Sequence, residues 1–390
     1  MLKRFRCRRT AFIAMGNFAF FLLLASAGAQ TPSAAQLDTI FSKIVAAPNQ
    51  PGLAVLVRQN GQTVFERSYG MRDLRSNLPI DAHTNFRLAS CTKQFTAMAI
   101  MLLVHNGKLR YDQTLTDIFP EFPAYGRGIT IRNLLNHTSG LIAYEDLMDK
   151  MYAGKEWYEI PQITDAQVLA LAEKQTRTKF PPGTKWEYSN GGYCILAMIV
   201  EKVSGMPFPQ FLRQRIFVPL HMEHTVAHVY GKDTVMNRAY GYTNDSGVWL
   251  ETDQSPTSAT LGDGGIYSSL DDLAKWDDAL RNHTLLSAAE FQPAITPENS
   301  AAVSPSAVDD LPKAAAANQQ PLAYGFGWFL DPYRGHPRMW HYGSTIGFHS
   351  IIERFTNDNL SVIILSNRTD VDLAALALRA ADLYVASKPR

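Results

Sequence analysis

The apolar positions of this chain come in short runs near its two ends and in longer, helix-spaced runs through its middle. "GLAVLVRQNGQTVFERSYG" (Gly52 to Gly70) divides around Asn60-Gly61, the strongest short hairpin signal, and predicts two strands. From Ser90 to about Leu220 the pattern is mainly helical. Its most apolar segment carries Phe95, Met98, Ile100, Met101, Leu102, Leu103 and Val104. That segment predicts a helix buried around most of its circumference and stopped at Asn106-Gly107. A second apolar helix follows Tyr188-Ser189-Asn190 and runs toward Gly205, and "DDLAKWDDAL" (Asp271 to Leu280) predicts another. Strand character then returns in "YGFGWFL", "RMWHYG", "FHSIIERF" and "LSVIILSN", with "TNDN" as a hairpin turn, and a last helix is expected over about Val371 to Ser387. The Ala-, Ser- and Pro-rich stretch from Thr296 to Pro321 predicts a mobile loop. There is no internal repeat.

This order predicts an α+β fold. Strands from both ends join one antiparallel sheet flanked by helices, and the mostly helical middle is a lobe inserted into it. The sheet lobe takes about residues 37–85 and 321–390 and the helical lobe about 90–290. A cleft between the lobes is the natural place for a site.

Composition changes this picture mainly at the N-terminus. "MLKRFRCRRT" is basic, "AFIAMGNFAFFLLLA" is apolar and "SAGAQ" offers small residues for cleavage, so residues 1–29 are expected to be a signal peptide cut after Ala29. Secretion or a periplasmic location follows, with no stable membrane anchor once the leader is gone. The leader holds five basic and no acidic residues, so the net charge of +1 becomes −4 for the mature chain. Nothing in that balance suggests a nucleic-acid surface. Cys7 leaves with the leader. Cys91 and Cys194 remain, and spacing alone leaves open whether they pair.

Three short segments carry the candidate chemistry. Ser90 stands at the start of the apolar helix, and Lys93, three residues on, shares its side. A hydroxyl nucleophile needs a base within hydrogen-bond reach, and a lysine serves if burial lowers its pKa. The alternative is a helix cap beside a solvent-seeking lysine. Tyr188 and Asn190 also stand where a loop meets a helix start. Tyr188 is a base if adjacent cations favour its phenolate, and Asn190 can hold Lys93 or donate to a substrate carbonyl. The alternative is a core tyrosine and a capping asparagine. In "RMWHYGSTIGF", His341 and Gly343 alternate onto one strand face, where the glycine lets substrate approach the backbone. "HMEHTVAH" (His221 to His228) lacks the spacing of zinc hydrolases and is read as an ordinary loop. His137 is expected to set the loop before Gly140, and Asp263 to border the cleft without assigned chemistry.

Taken together, Ser-x-x-Lys, Tyr-x-Asn about a hundred residues on and His-x-Gly on a late strand resemble the serine β-lactamase and penicillin-binding-protein superfamily. The likeness is to the class C β-lactamase and DD-peptidase branch, with its esterase-like members. It extends through "ITIRNLLNHTSGL", "FPPGTKWEYSNGGYCILAMIVEKVSG" and "GDGGIYSSLDDLAKWDDAL". The resemblance implies Ser90 as acylated nucleophile and Lys93 and Tyr188 as sharers of the proton work. It implies Asn190 as a substrate-orienting group, the backbone amides of Ser90 and Ser344 as an oxyanion hole, and His341 facing Ser90. Neither metal nor cofactor is implied, and the partner is a small-molecule or peptide substrate. His341 replaces the lysine usual in β-lactamases, and Tyr342 the usual threonine. A largely neutral histidine suits a carboxylate poorly. This favours esterase or D-amino-acid peptidase chemistry over β-lactam hydrolysis, with a non-catalytic binding or sensor protein as the rival class.

Overall fold

The computed structural model describes residues 32–297 and 322–385. The expected leader and most of the Ala/Ser/Pro-rich loop lie outside these residues, as does the predicted end of the last helix. Seven strands form the main sheet: β1 (Leu53–Gln59), β2 (Gln62–Tyr69), β3 (Ala323–Tyr324), β4 (Phe329–Tyr333), β5 (His336–Thr345), β6 (Phe348–Phe355) and β7 (Leu360–Ser366). Their order is β3-β4-β5-β6-β7-β1-β2, and every neighbouring pair is antiparallel. The two chain ends meet where β1 pairs with β7, Leu53 opposite Ser366 and Gln59 opposite Leu360. Asn60 and Gly61 both have positive φ, 52° and 77°, as the tight turn of a two-residue hairpin requires. Residues 356–359, the "TNDN" segment, turn β6 into β7.

Alternation along β1 sorts the core into two layers. Leu53, Val55 and Val57 join Leu37, Phe41, Leu373 and Leu376, so helices α1 (Ala34–Phe41) and, at the other end of the chain, Leu373–Ala381 cover one face. Ala54 and Leu56 join Phe95, Ile100 and Leu196 on the other face, where the inserted lobe packs. That lobe contains α2 (Lys93–His105), α3 (Tyr144–Met151), α4 (Asp165–Glu173), α5 (Asn190–Ser204) and α6 (Leu270–Asn282). In α2 every residue from Lys93 to Leu103 is buried. The lobe is less purely helical than its pattern predicts. It holds a three-stranded sheet of Phe86–Arg87, Ile266–Ser268 and Val226–Ala227, and a hairpin of Tyr242–Asp245 with Val248–Glu251. Strands of two to four residues are too short to leave a periodic trace. Among the described residues no helix is long and apolar enough to cross a membrane, and Cys91 and Cys194 are buried and free.

Candidate active site

Ser90 lies in a 3-10 turn, Ala89–Thr92, that leads directly into α2. Ala89 holds φ at 47°, a left-handed conformation unusual for a residue with a β-carbon. The turn is fastened to the sheet. Ser350 on β6 donates from Oγ to the Leu88 carbonyl at 2.7 Å, and the Cys91 thiol lies 3.2 Å from the His341 carbonyl. Gly343 on β5 packs straight against it, since a β-carbon there would lie 2.1 Å from the Leu88 oxygen. The expectation that Gly343 lets substrate approach is thereby corrected: what approaches is the turn that carries Ser90.

Lys93 is the first residue of α2 and wholly buried. Its ammonium donates to Ser90 Oγ at 3.0 Å, Asn190 Oδ1 at 2.8 Å and the Asp263 backbone carbonyl at 3.0 Å, which uses all three of its protons. Neither the cap reading of Ser90 nor the snorkelling of Lys93 describes this arrangement. Burial pulls the Lys93 pKa down to about 8, opposed chiefly by the charge of Asp263. A lysine in that range is partly neutral near neutral pH. The neutral amine keeps two donors for Asn190 and Asp263 and turns its lone pair toward the Ser90 hydroxyl.

Tyr188 packs its ring 4.9 Å from Lys93 Nζ and 4.4 Å from the His137 ring. Burial pushes its phenol well above the ordinary range, and the neighbouring Ser90 hydroxyl offsets this only in part. The phenolate that adjacent cations were expected to favour is not the resting form. Tyr188 is a neutral phenol, suited to relaying a proton rather than to taking one unaided. His137 fixes the loop that presents it: its Nδ1 accepts the Ser189 N–H at 3.1 Å and its carbonyl the Glu187 N–H at 3.0 Å.

Asn190 opens α5, but Ser189 is the cap, accepting the Gly192 N–H at 3.1 Å. The Asn190 amide is spent on both sides. Its oxygen takes Lys93, and its Nδ2 donates to Glu145 Oε1 at 2.9 Å. Glu145, on α3, is raised above the ordinary carboxylate range by burial, with the Asn190 bond opposing.

A cleft of about 510 Å³ opens over this set, lined by Ser90, Ala143, Glu145, Asp146, Lys179, Glu187, Tyr188, Asn190, Tyr342 and Ser344. A larger cavity of about 730 Å³, lined by residues such as Gln162, Arg213 and Tyr230, contains none of the candidate catalytic residues. Ser90 and Ser344 share the smaller cleft, as an oxyanion site built from their backbone amides would need. His341 does not line it, which corrects the expectation that it faces substrate. It is fully buried, with Nδ1 2.7 Å from the Tyr342 carbonyl and Nε2 2.9 Å from Tyr324 Oη. A carbonyl only accepts, so Nδ1 carries the proton and Nε2 accepts from the phenol. Burial, with the Lys93 charge, drives its pKa down to about 3, so it is neutral at working pH. Tyr342 and Ser344, the alternate positions of β5, are the ones exposed to the cleft. Glu145, Lys179 and Glu187 were not foreseen. Asp263 touches the site through its backbone and keeps its side chain in the interior.

A family model described as Beta-lactamase matches residues 37–386. The chain is 30% identical over 369 residues to a penicillin-binding protein of Bacillus subtilis (strain 168), covering 90% of this chain and 76% of that one. Among solved structures, it resembles a penicillin-binding protein homologue from Pyrococcus abyssi with a TM-score of 0.75 and 25% identity, covering 90% of this chain and 77% of that one. It resembles the D-amino acid amidase of Ochrobactrum anthropi SV3, crystallised with L-phenylalanine amide, with a TM-score of 0.70 and 26% identity, covering 90% and 96%.

Proposed function

The chain belongs to the beta-lactamase family and is a serine hydrolase of the penicillin-binding-protein and amidase type, and from that premise we propose that it cleaves an ester, or an amide of a D-amino acid, through an acyl-enzyme on Ser90. The observation that carries this reading is the buried Lys93 amine held at 3.0 Å from Ser90 Oγ by Asn190 and the Asp263 carbonyl. Ser90 Oγ attacks the substrate carbonyl carbon as its proton passes to Lys93, and the carbonyl oxygen takes up the negative charge between the amides of Ser90 and Ser344. Collapse breaks the bond to the leaving alcohol or amine, which receives the proton from Lys93 by way of the Tyr188 phenol. Water then attacks the acyl carbon, its proton follows the reverse route, and the acid leaves with Ser90 restored.

The charges of the cleft support the substrate class. Lys179 is engaged by Glu187 at 2.7 Å and Asp146 at 3.5 Å, and His341 is neutral and out of reach. Glu145, Asp146 and Glu187 give the cleft wall more acidic than basic side chains. Such a lining suits a neutral or amine-bearing acyl group and disfavours the carboxylate of a β-lactam. The amidase relative fits the same class. Export through the N-terminal leader, into the periplasm or medium, belongs to the proposal.

The test is a panel of p-nitrophenyl esters, D-amino acid amides and nitrocefin, with wild type and Ser90→Ala. Wild type is expected to turn over esters or D-amides well ahead of nitrocefin and to be labelled by a fluorophosphonate. Ser90→Ala is expected to lose both while melting within a few degrees of wild type. A folded Ser90→Ala variant with near-normal turnover refutes the reading.

A further inference from the structure

Behind Lys93 lies a second group of ionisable side chains that acyl transfer does not use. Asp165 on α4, Cys194 on α5 and Asp263 in the Gly262–Gly264 turn are all buried, and each brings one polar side-chain atom within 4.8 Å of the others'. Asp165 holds the turn, its two oxygens accepting the N–H groups of Leu261 at 2.8 Å and Gly262 at 3.1 Å. The Cys194 thiol lies beside Asp165. Asp263 is placed differently. Its backbone carbonyl takes a proton of Lys93, its Oδ2 lies 3.5 Å from the Tyr144 phenol, and its Oδ1 has no partner although the residue is only 6% exposed.

Asp165 and Asp263 bring two acidic groups close together in a buried site, where like charges repel. The nearby cation is Lys93, already bound to the backbone of Asp263. The other groups facing Lys93 come from every element around it. The 3-10 turn offers the Ser90 hydroxyl and the Cys91 thiol, and α3 offers Glu145 through the Asn190 amide. Tyr188 and Tyr193 present rings at 4.9 and 5.5 Å. His137 and His341 are held neutral by burial, as Tyr324 is held un-ionised. Of the acidic groups, Glu145 acts across an intervening amide, whereas the Asp263 carboxylate belongs to a residue that itself binds the ammonium.

We infer that the buried Asp263 carboxylate, whose backbone carbonyl holds the ammonium and whose Oδ1 has no partner, sets whether Lys93 stands as ammonium or as amine. Asp263 is thus a positioning residue for the base, and Asp165 holds the turn that carries it. Burial, with the neighbouring Asp263 as the next cause, pushes the Asp165 carboxyl up to about 7. The inference rests on the hydrolase reading of Ser90 and Lys93.

The experiment compares wild type, Asp263→Asn and Asp165→Asn by the pH profile of kcat/KM on a p-nitrophenyl ester. Alongside it, Lys93 is titrated directly by NMR of ε-13C-lysine protein, its signal assigned by its loss in Lys93→Arg. Removing the Asp263 charge destabilises the ammonium. Asp263→Asn is therefore expected to move the ascending limb, and the Lys93 titration, to lower pH by about one unit. Asp165→Asn keeps the Asp263 side chain, so it is expected to leave the limb in place or move it upward. Should Asp263→Asn not fold, Asp263→Ala removes the same charge and keeps the backbone carbonyl, with the same expectation. A limb and a lysine titration unmoved in the Asp263 variant, or moved down equally by both variants, overturn the inference. A wild type that hydrolyses nothing and is not labelled at Ser90 fails the hydrolase reading instead, and the lysine titration then decides this inference alone.

Discussion

Gly343→Ala tests whether the sheet positions the nucleophile. A β-carbon at 343 would lie 2.1 Å from the Leu88 carbonyl oxygen, 2.5 Å from Ser350 Oγ and 3.1 Å from Ala89 Cβ. A carbon and an oxygen in contact ordinarily keep at least about 3.3 Å, so strand and turn must separate by roughly 1 Å. The serine hydroxyl can rotate away, but the backbone oxygen cannot, and it also receives Ser350 Oγ at 2.7 Å and the Cys91 N–H at 3.2 Å. The displacement therefore falls on Leu88 and Ala89, the residues just before Ser90. A shift of about 1 Å at a reacting atom costs on the order of a hundredfold in rate, and an extra methyl forced into a packed site costs about 1–3 kcal/mol. The expected result is a kcat lowered by roughly two orders of magnitude and a Tm lowered by a few degrees. KM should change little, because Glu145, Tyr188 and Asn190 stand on other elements. Ser350→Ala in the same chain removes the softer clash and is expected to restore little. Steady-state kinetics on a p-nitrophenyl ester, the rate of fluorophosphonate labelling and a melting curve measure all three. A Gly343→Ala protein with kcat within about twofold of wild type and an unchanged Tm would refute the claim that this contact sets the position of Ser90.

The pH dependence follows from Lys93. The base must be neutral to accept the Ser90 proton, so with a pKa of about 8 kcat/KM should fall about tenfold per unit below it and level off above it. Because the Tyr188 phenol is pushed upward, no descending limb from that residue is expected below pH 10, the ordinary tyrosine value. A profile flat from pH 6 to 9 on a stable protein would contradict this assignment of the base. His341→Lys introduces a second cation into a buried site whose histidine already feels the Lys93 charge. It is expected to lower Tm and both activities while leaving the ratio of ester to nitrocefin hydrolysis unchanged, and a stable variant with a clear gain on nitrocefin would contradict the buried placement.

How much of this was legible in the residues can be argued position by position. Ser90 and Lys93 stood out because the period of a helix places them on one side, and because a lysine entering an apolar helix calls for a use. The antiparallel sheet was legible in outline because strands near both ends had to find partners, and Asn60-Gly61 marked one turn outright, whereas "YGFGWFL" read as one strand where Tyr324 ends one and Phe329 starts another. Glu145 was not legible as a site residue, and Asp263 was legible only as a residue at the border of the cleft. Neither belongs to a periodic pattern, and their partners Asn190 and Lys93 lie 45 and 170 positions away. The two- to four-residue strands of the inserted lobe escaped for a similar reason, since a period cannot be read over so few residues.

His341 shows what a strand pattern conveys and what it withholds. Alternation places His341 and Gly343 on one face and Tyr342 and Ser344 on the other, but it does not say which face meets the cleft. The glycine resolves this. A carbonyl 2.1 Å from where a β-carbon would stand requires glycine at 343, so that face of β5 is the one pressed against the turn of Ser90. His341 must then lie inward with it, closed off by Tyr324 and the Tyr342 carbonyl. Tyr342 and Ser344 face the cleft. The position where a β-lactamase carries its lysine is therefore occupied here by a neutral ring that supports the wall of the site. In the proposed reading, a charge on the substrate would meet a cleft wall that holds Glu145, Asp146 and Glu187 beside the paired Lys179, a balance that suits an amine better than a carboxylate.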